Sequence, residues 1–408
     1  MGETGAAVAA SLATATGTLP LRGAAPADVT LQAGLAWDDG VITFVGPADG
    51  LPIEPTIGSI EEGCIVPGFV DCHVHLPFVG WRDDEFEARL AGASYRNLHG
   101  EEGGIYRSAR LLAAASDDEV LSFSVPLVAE MAAHGTTALE LKTGYGLSVE
   151  GELRQARLAR LLDDAVPQTS SVTLLACHAV PPGMARSDWV RAVTDELIPS
   201  AAGDGLADAV DVYVEDIAFS IDDLERLAAA SAAAGLALRV HADQLGPSGA
   251  AEAAVALGAR SADHLNHTSE AGVKALAGGD TAAVLLPTST FLLRATPPPV
   301  DALRDQGATL AIASDFNPGT SPVLSMPEVV AMACTLYGFE PLAALTAATV
   351  TPARILGLDD RLGTLEVGKR ADFLLLDGPR FSGVPYRPGH NPVVSTFIGG
   401  RRVDGLPG

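Results

Sequence analysis

Cysteine is scarce in this chain. Its four residues, Cys64, Cys72, Cys177 and Cys334, are scattered through 408 positions with no C-x-x-C pair. That spacing rules out a disulfide framework and suits reduced thiols in a reducing compartment. Basic residues are also few: 26 Lys and Arg stand against 51 Asp and Glu, for a formal net charge of −25. So acidic a balance argues against nucleic acid or an anionic membrane surface as partner. No apolar run reaches the length needed to span a bilayer without meeting Gly, Pro or a charge. The opening MGETGAAVAASLATATG has no basic segment and includes Glu3, so no signal peptide is expected. Ala6 stands where myristoylation would call for Ser or Thr. The expected location is therefore the cytoplasm. A convincing Gly-rich phosphate loop after an early strand is missing too, which disfavours a doubly wound nucleotide-binding sheet.

What the chain does have is a regular rhythm. Up to about residue 65 it reads as short strands broken by Gly and Pro. Beyond Pro67, apolar strand-like runs at 136–141, 172–176, 210–214, 236–240, 262–265, 282–286 and 309–313 alternate with helical stretches such as 117–133, 152–163, 222–234, 250–257 and 270–276. With the run before Asp71 there are eight strands over about 250 residues, the pattern of a (β/α)8 TIM-type barrel. After residue 365 the sequence returns to Gly-punctuated strands. The expected organisation is α/β: a barrel over 66–364, with a small β-sandwich-like domain formed from the N- and C-terminal segments, 1–65 and 365–408.

One stretch, CIVPGFVDCHVHLPF at 64–78, organises the rest. Its apolar run stops abruptly at Asp71, His73 and His75. Residues two apart on a strand share a side, so His73 and His75 present two imidazoles together. Barrel active sites gather at the C-terminal strand ends, and the other ends here are chemically loaded. Lys142 and Tyr145 follow the second strand, His178 the third and Glu215 the fourth. The fifth gives His241, Asp243 and Gln244, the sixth His264, and the eighth Asp315 and Asn317. Of nine histidines, His99, His134, His267 and His390 fall away from these positions and are expected to be ordinary structural residues.

A single ion held by His73, His75, His241 and Asp315 would keep a coordination position open for water. It would lower the pKa of that water from about 15.7 toward 7. Asp315 is then the expected base and later acid, and His178 and His264 are expected to polarise the carbonyl under attack. Two roles are open for Asp243: orienting a ligand imidazole or capping the turn after the fifth strand. Lys142 and Glu215 are expected to form a buried ion pair, Glu215 being the only fourth-strand candidate for a second metal.

PGFVDCHVH, RVHADQLG, SADHLNH, SDFNPGTSP and the tail ATVTPARILGLDDRLGTLEVGKRADFLLLD resemble the metal-dependent amidohydrolase superfamily over nearly the whole chain. WRDDEF, RLAGASYRNL, EEGGIYRSAR, LELKTGYGLS, ACHAVPP, VYVEDIAFS and LLPTSTFLLR make the chain similar, within it, to the imidazolonepropionase family. The resemblance implies zinc or iron on His73, His75, His241 and Asp315. It implies substrate contacts from Arg82, Tyr145, His178, Gln244, Asn317, Gly319 and Thr320, and a homodimer. Arg82 would offer a planar fork to a propionate carboxylate. The implied reaction is hydrolysis of the cyclic amide C–N bond of 4-imidazolone-5-propanoate to N-formimino-L-glutamate, in histidine degradation. The alternatives are a related hydrolase of another carboxylated five-membered ring, such as a thio-oxo imidazolidine propionate, a cyclic amidine deaminase and, last, an inactive structural homologue.

Overall fold

The computed structural model describes residues 3–15, 28–57, 60–93 and 103–403, so His99 and part of the RLAGASYRNL and EEGGIYRSAR motifs lie outside the described residues. Strands β1 (Gly5–Thr14), β2 (Asp28–Asp38), β3 (Val41–Pro47) and β4 (Ile60–Pro67) come first. Next are β5 (Phe69–Asp71), β6 (Thr136–Lys142), β7 (Thr169–Cys177), β8 (Ala209–Val214), β9 (Ala237–Ala242), β10 (Ser261–His264), β11 (Ala282–Leu285) and β12 (Leu310–Ile312). The chain ends in β13 (Phe373–Leu376), β14 (Val393–Ile398) and β15 (Arg401–Val403).

Strands β5 to β12 form one sheet in sequence order, and each pairs in parallel with the next. Helices fill most of the intervals. Those at Asp117–Ala133 and Ile221–Ala233 begin in capping boxes, Ser116 with Glu119 and Ser220 with Asp223. Parallel strands covered on the outside by helices are buried on both faces, which is why β6 and β8 are buried throughout. The two edge strands close on each other. Val74 bridges Phe316, the His75 amide donates to the Phe316 carbonyl at 2.9 Å, and the Ser314 amide and hydroxyl both donate to the Asp71 carboxylate. This is the (β/α)8 barrel expected from the sequence, and its closure carries Asp315 to the HxH pair.

The remaining strands build a seven-stranded mixed sheet in the order β15-β14-β13-β4-β1-β2-β3, drawn from both ends of the chain. Its core holds an aromatic group: Phe373 and Phe397 stack with ring centroids 4.4 Å apart, and the Trp37 ring centroid lies 5.1 Å from that of Phe373.

The apolar run before His73 reads as a single barrel strand, but the structure divides it. Ile60–Pro67 pairs with β1 and β13 in the mixed sheet, whereas Phe69–Asp71 opens the barrel. The change of sheet falls at Gly68, where a Cβ would collide with the Thr137 side chain. Both halves of the run are buried, so hydropathy cannot mark the division. No helix among the described residues is long and apolar enough to cross a membrane.

If the aromatic stack anchors the mixed sheet, Phe373→Ala costs about 3–5 kcal/mol of stability. Denaturant titration of purified parent and variant should show this as a lower midpoint, and a loss below about 1 kcal/mol would mean the ring is not an anchor.

Candidate active site

The closed end of the barrel brings four imidazoles and a carboxylate into one buried cluster. His73 Nε2 lies 3.2 Å from His75 Nε2, and Asp315 Oδ1 lies 3.5 Å from the first and 3.2 Å from the second. The His241 ring is 4.5 Å from that of His73, centroid to centroid, and the His264 ring is 5.2 Å from that of His241. Burial, with Lys142 and the neighbouring imidazoles, holds His73 well below its ordinary pKa, and burial brings His264 down to about 3. The His73 and His264 rings are therefore neutral. Burial alone would raise Asp315, but hydrogen bonding to His75 and the nearby imidazoles hold it below the usual carboxylate range.

These facts test whether a cation fits. His73 uses Nδ1 against Asp263, at 2.7 Å, so its Nε2 carries a lone pair. That lone pair faces His75 Nε2 and a carboxylate oxygen in a space closed to solvent, while His75 Nδ1 has no partner at all. Nitrogen and oxygen donors converging without enough protons between them fit a transition metal. The His73, His75 and His241 ligand atoms lie within 4.8 Å of one another, as do those of His73, His264 and Asp315.

Backbone strain helps aim the groups. His264 and Leu265 have φ of 76° and 62°, and Asp315 has φ of 53°. The left-handed turn at His264 breaks strand alternation, so Asp263 and His264 both serve the cluster. Non-glycine residues hold such angles only where their surroundings enforce them, as functional sites do.

Beneath the imidazoles lies a second layer that the sequence reading did not find. Asp211 Oδ2 is 2.9 Å from His241 Nδ1, and Asp263 backs His73. Lys142 does not pair with Glu215 as expected. Its ammonium is 2.6 Å from Asp211 and 3.0 Å from Glu140, whose carboxylate also meets Arg239. Burial alone would raise Asp211, but His241 and Lys142 hold it well below its ordinary pKa. Glu215 accepts the Leu245 amide at 2.8 Å and so fixes the loop bearing Gln244, and among the described residues it joins no metal-type cluster. Asp243 takes the turn role, accepting from the Ser248 amide and hydroxyl and from Thr268.

A small cavity adjoins the cluster, lined among others by Arg82, Tyr145, His178, Gln244, Asn317 and Thr320. It is also lined by Ile105 and Tyr213, which sequence reasoning missed because they read as plain core residues. Arg82 is buried, donates to Ser108 at 3.2 Å, and has an Nε without a hydrogen-bond partner. Gly319 does not line this cavity; it passes behind Arg82, where a Cβ would fall on the guanidinium. Asn317 is committed to its own turn, donating to Thr320 and accepting the Gly319 and Thr320 amides.

Tyr145 is aimed by two more residues that the sequence did not single out. Glu152 accepts the amides of Gly144, Gly146 and Leu147, and Gln155 accepts that of Tyr145. Their signal is faint: a Glu and a Gln three apart on a helix read as a solvated face. His134 and His267 do not line the cavity, and His390 pairs with Asp377 at 2.6 Å away from it.

With this geometry in hand, the comparisons are consistent with one another. The model of the amidohydrolase family matches residues 64–403. An imidazolonepropionase from Shewanella sp. (strain W3-18-1) is 40% identical over 386 residues, covering 93% of this chain and 95% of the relative. The imidazolonepropionase of Shewanella baltica (strain OS155) matches equally, at 40% identity over the same shares. Among solved structures, E. coli guanine deaminase superposes with a TM-score of 0.74 at 16% identity, over 98% of this chain and 100% of that one. A zinc-bound adenosine deaminase from Xanthomonas campestris does so with a TM-score of 0.68 at 19% identity, over 97% and 92%. At such identities these two speak for the fold alone.

Burial pushes the Glu215 carboxyl up to about 7. A carboxyl with a raised pKa binds its proton more tightly in the fold than in the unfolded chain, so its contribution to stability is lost as pH rises from about 4.5 through 7. Glu215→Gln keeps an acceptor for Leu245 and has no charge to bury. Its thermal midpoint is expected to gain on the parent's between pH 5 and 8, and a pH-independent difference would contradict the assignment.

Proposed function

The chain belongs to the amidohydrolase family and to its imidazolonepropionase branch, and from that premise we propose that its substrate is 4-imidazolone-5-propanoate, opened to N-formimino-L-glutamate in histidine degradation. It is a hydrolytic enzyme acting on cyclic amide C–N bonds. The observation that carries the substrate is a small cavity lined both by the imidazole–carboxylate cluster and by a buried arginine. A reacting ring with a short carboxylated arm has that shape and charge.

Amidohydrolases are generally metal-dependent, and His73, His75, His241 and Asp315 would hold a zinc or iron ion in this chain. When bound, such an ion supplies Lewis acidity and makes water acidic enough to attack near neutral pH. Asp315 takes the proton of the attacking water and returns it to the departing ring nitrogen. The water oxygen bonds to the ring carbonyl carbon as that carbon parts from nitrogen, giving a carboxylate and an open formimino chain. His264 and His178 donate to the carbonyl oxygen as negative charge builds on it. Arg82 binds the propionate, with Ser108 and the bare Gly319 backbone holding its plane. Tyr145, Gln244, Asn317 and Thr320 complete the wall and fix the ring's orientation. The acidic surface and reduced thiols support a cytoplasmic place for this reaction.

Purified, metal-loaded protein mixed with freshly generated imidazolone propanoate is expected to remove its ultraviolet absorbance without releasing ammonia. Ammonia release would point to a deaminase, and no turnover would overturn the substrate assignment. Arg82→Ala loses a charge-assisted contact of about 1.5–3 kcal/mol, so KM should rise on the order of 10- to 100-fold with metal content unchanged. His73→Ala and His241→Ala should lose the metal itself. Equal metal loss in all three variants, read by elemental analysis, would break this division of labour.

A further inference from the structure

Glu140 and Lys142 lie two residues apart on β6 and so share a side of the strand, and the contacts they make place that side inside the barrel. Both are fully buried. Charged side chains in that position are expensive unless paired, and this lysine is paired several times over. Its ammonium is 2.6 Å from Asp211 Oδ2, 3.0 Å from Glu140 Oε2 and 3.8 Å from Asp263 Oδ2.

Asp211 and Asp263 are no ordinary partners. They come from β8 and β10, the strands flanking β9, and each lies against the Nδ1 of a different imidazole, His241 and His73. Both contacts use Oδ2, the oxygen that also faces the ammonium. Asp211 is fixed further through Oδ1, which accepts the amides of Val212 and His241. Glu140 is held in turn by Arg239 and Thr173.

From this geometry we infer that Lys142 is a positioning residue for the metal centre: a single ammonium that sets both backing carboxylates and, through them, the rings of His73 and His241 together. A carboxylate behind an imidazole fixes which ring nitrogen carries the proton and which faces the metal. With one cation shared between two carboxylates, the two ligands are oriented jointly. Removing it leaves Asp211 and Asp263 free to turn away from the rings or repel each other. Lys142 lies outside the cavity lining and touches no substrate.

The inference rests on the metal-centre reading proposed above, and the test separates the two. Zinc affinity is measured by chelator competition on the full-length apo-protein, with folding followed by circular dichroism. Failure of the parent to bind zinc would reject the metal centre itself. If the parent binds, Lys142→Met should bind about 10- to 100-fold more weakly, the range typical of lost outer-shell support. The double variant Glu140→Gln/Lys142→Met, which keeps the parent's net charge, should be weakened to the same degree. With cobalt in place of zinc, both variants should show a shifted visible spectrum, a signal that a purely structural lysine would not move. Unchanged affinity in a folded variant would overturn the inference. Failure of both variants to fold would also overturn it, by showing Lys142 to be a partner for stability rather than for the metal.

Discussion

The structure turns on a crowding of lone pairs. His73, His75, His241, His264 and Asp315 are pressed together in one buried cluster, with fewer protons than their contacts would need. In isolation the arrangement is unfavourable, because burying imidazole nitrogens and a carboxylate that lack a full set of partners costs solvation. The barrel imposes it through the pairing of its edge strands and the double hydrogen bond from Ser314 to Asp71. A site held together at such a cost has the donor set that suits a cation.

Much of the fold was legible because barrel strands announce themselves. Most are short apolar runs ending abruptly in a polar or titratable side chain, and the ends at His178, His241, His264 and Asp315 stand where that pattern puts them. Boundaries were less visible: continuous burial hid the switch of sheets at Gly68. The residues missed share a physical cause. Asp211 and Asp263 sit inside strands, where a lone carboxylate says nothing about which neighbour will face it after closure. The choice of partner for Lys142, between Glu215 and the carboxylates beneath the rings, was likewise made by the curvature of the barrel.

The outer wall shows how much of a binding cavity is built by residues that never meet a ligand. Glu152 and Gln155 fold the Gly-rich loop around Tyr145, and Glu215 holds the segment of Gln244. Preorganisation of this kind lets a small substrate bind without paying to order the walls around it.

The switch of sheets at Gly68 also bears on how the chain divides. The rail that launches the segment of His73 and His75 belongs to a sheet completed only by residues from the far end of the chain, through β13. The catalytic barrel is thus not an excisable module. A chain trimmed of its last forty or so residues would lose β13, one of the two partners of β4, and with it part of the footing from which His73 and His75 are presented.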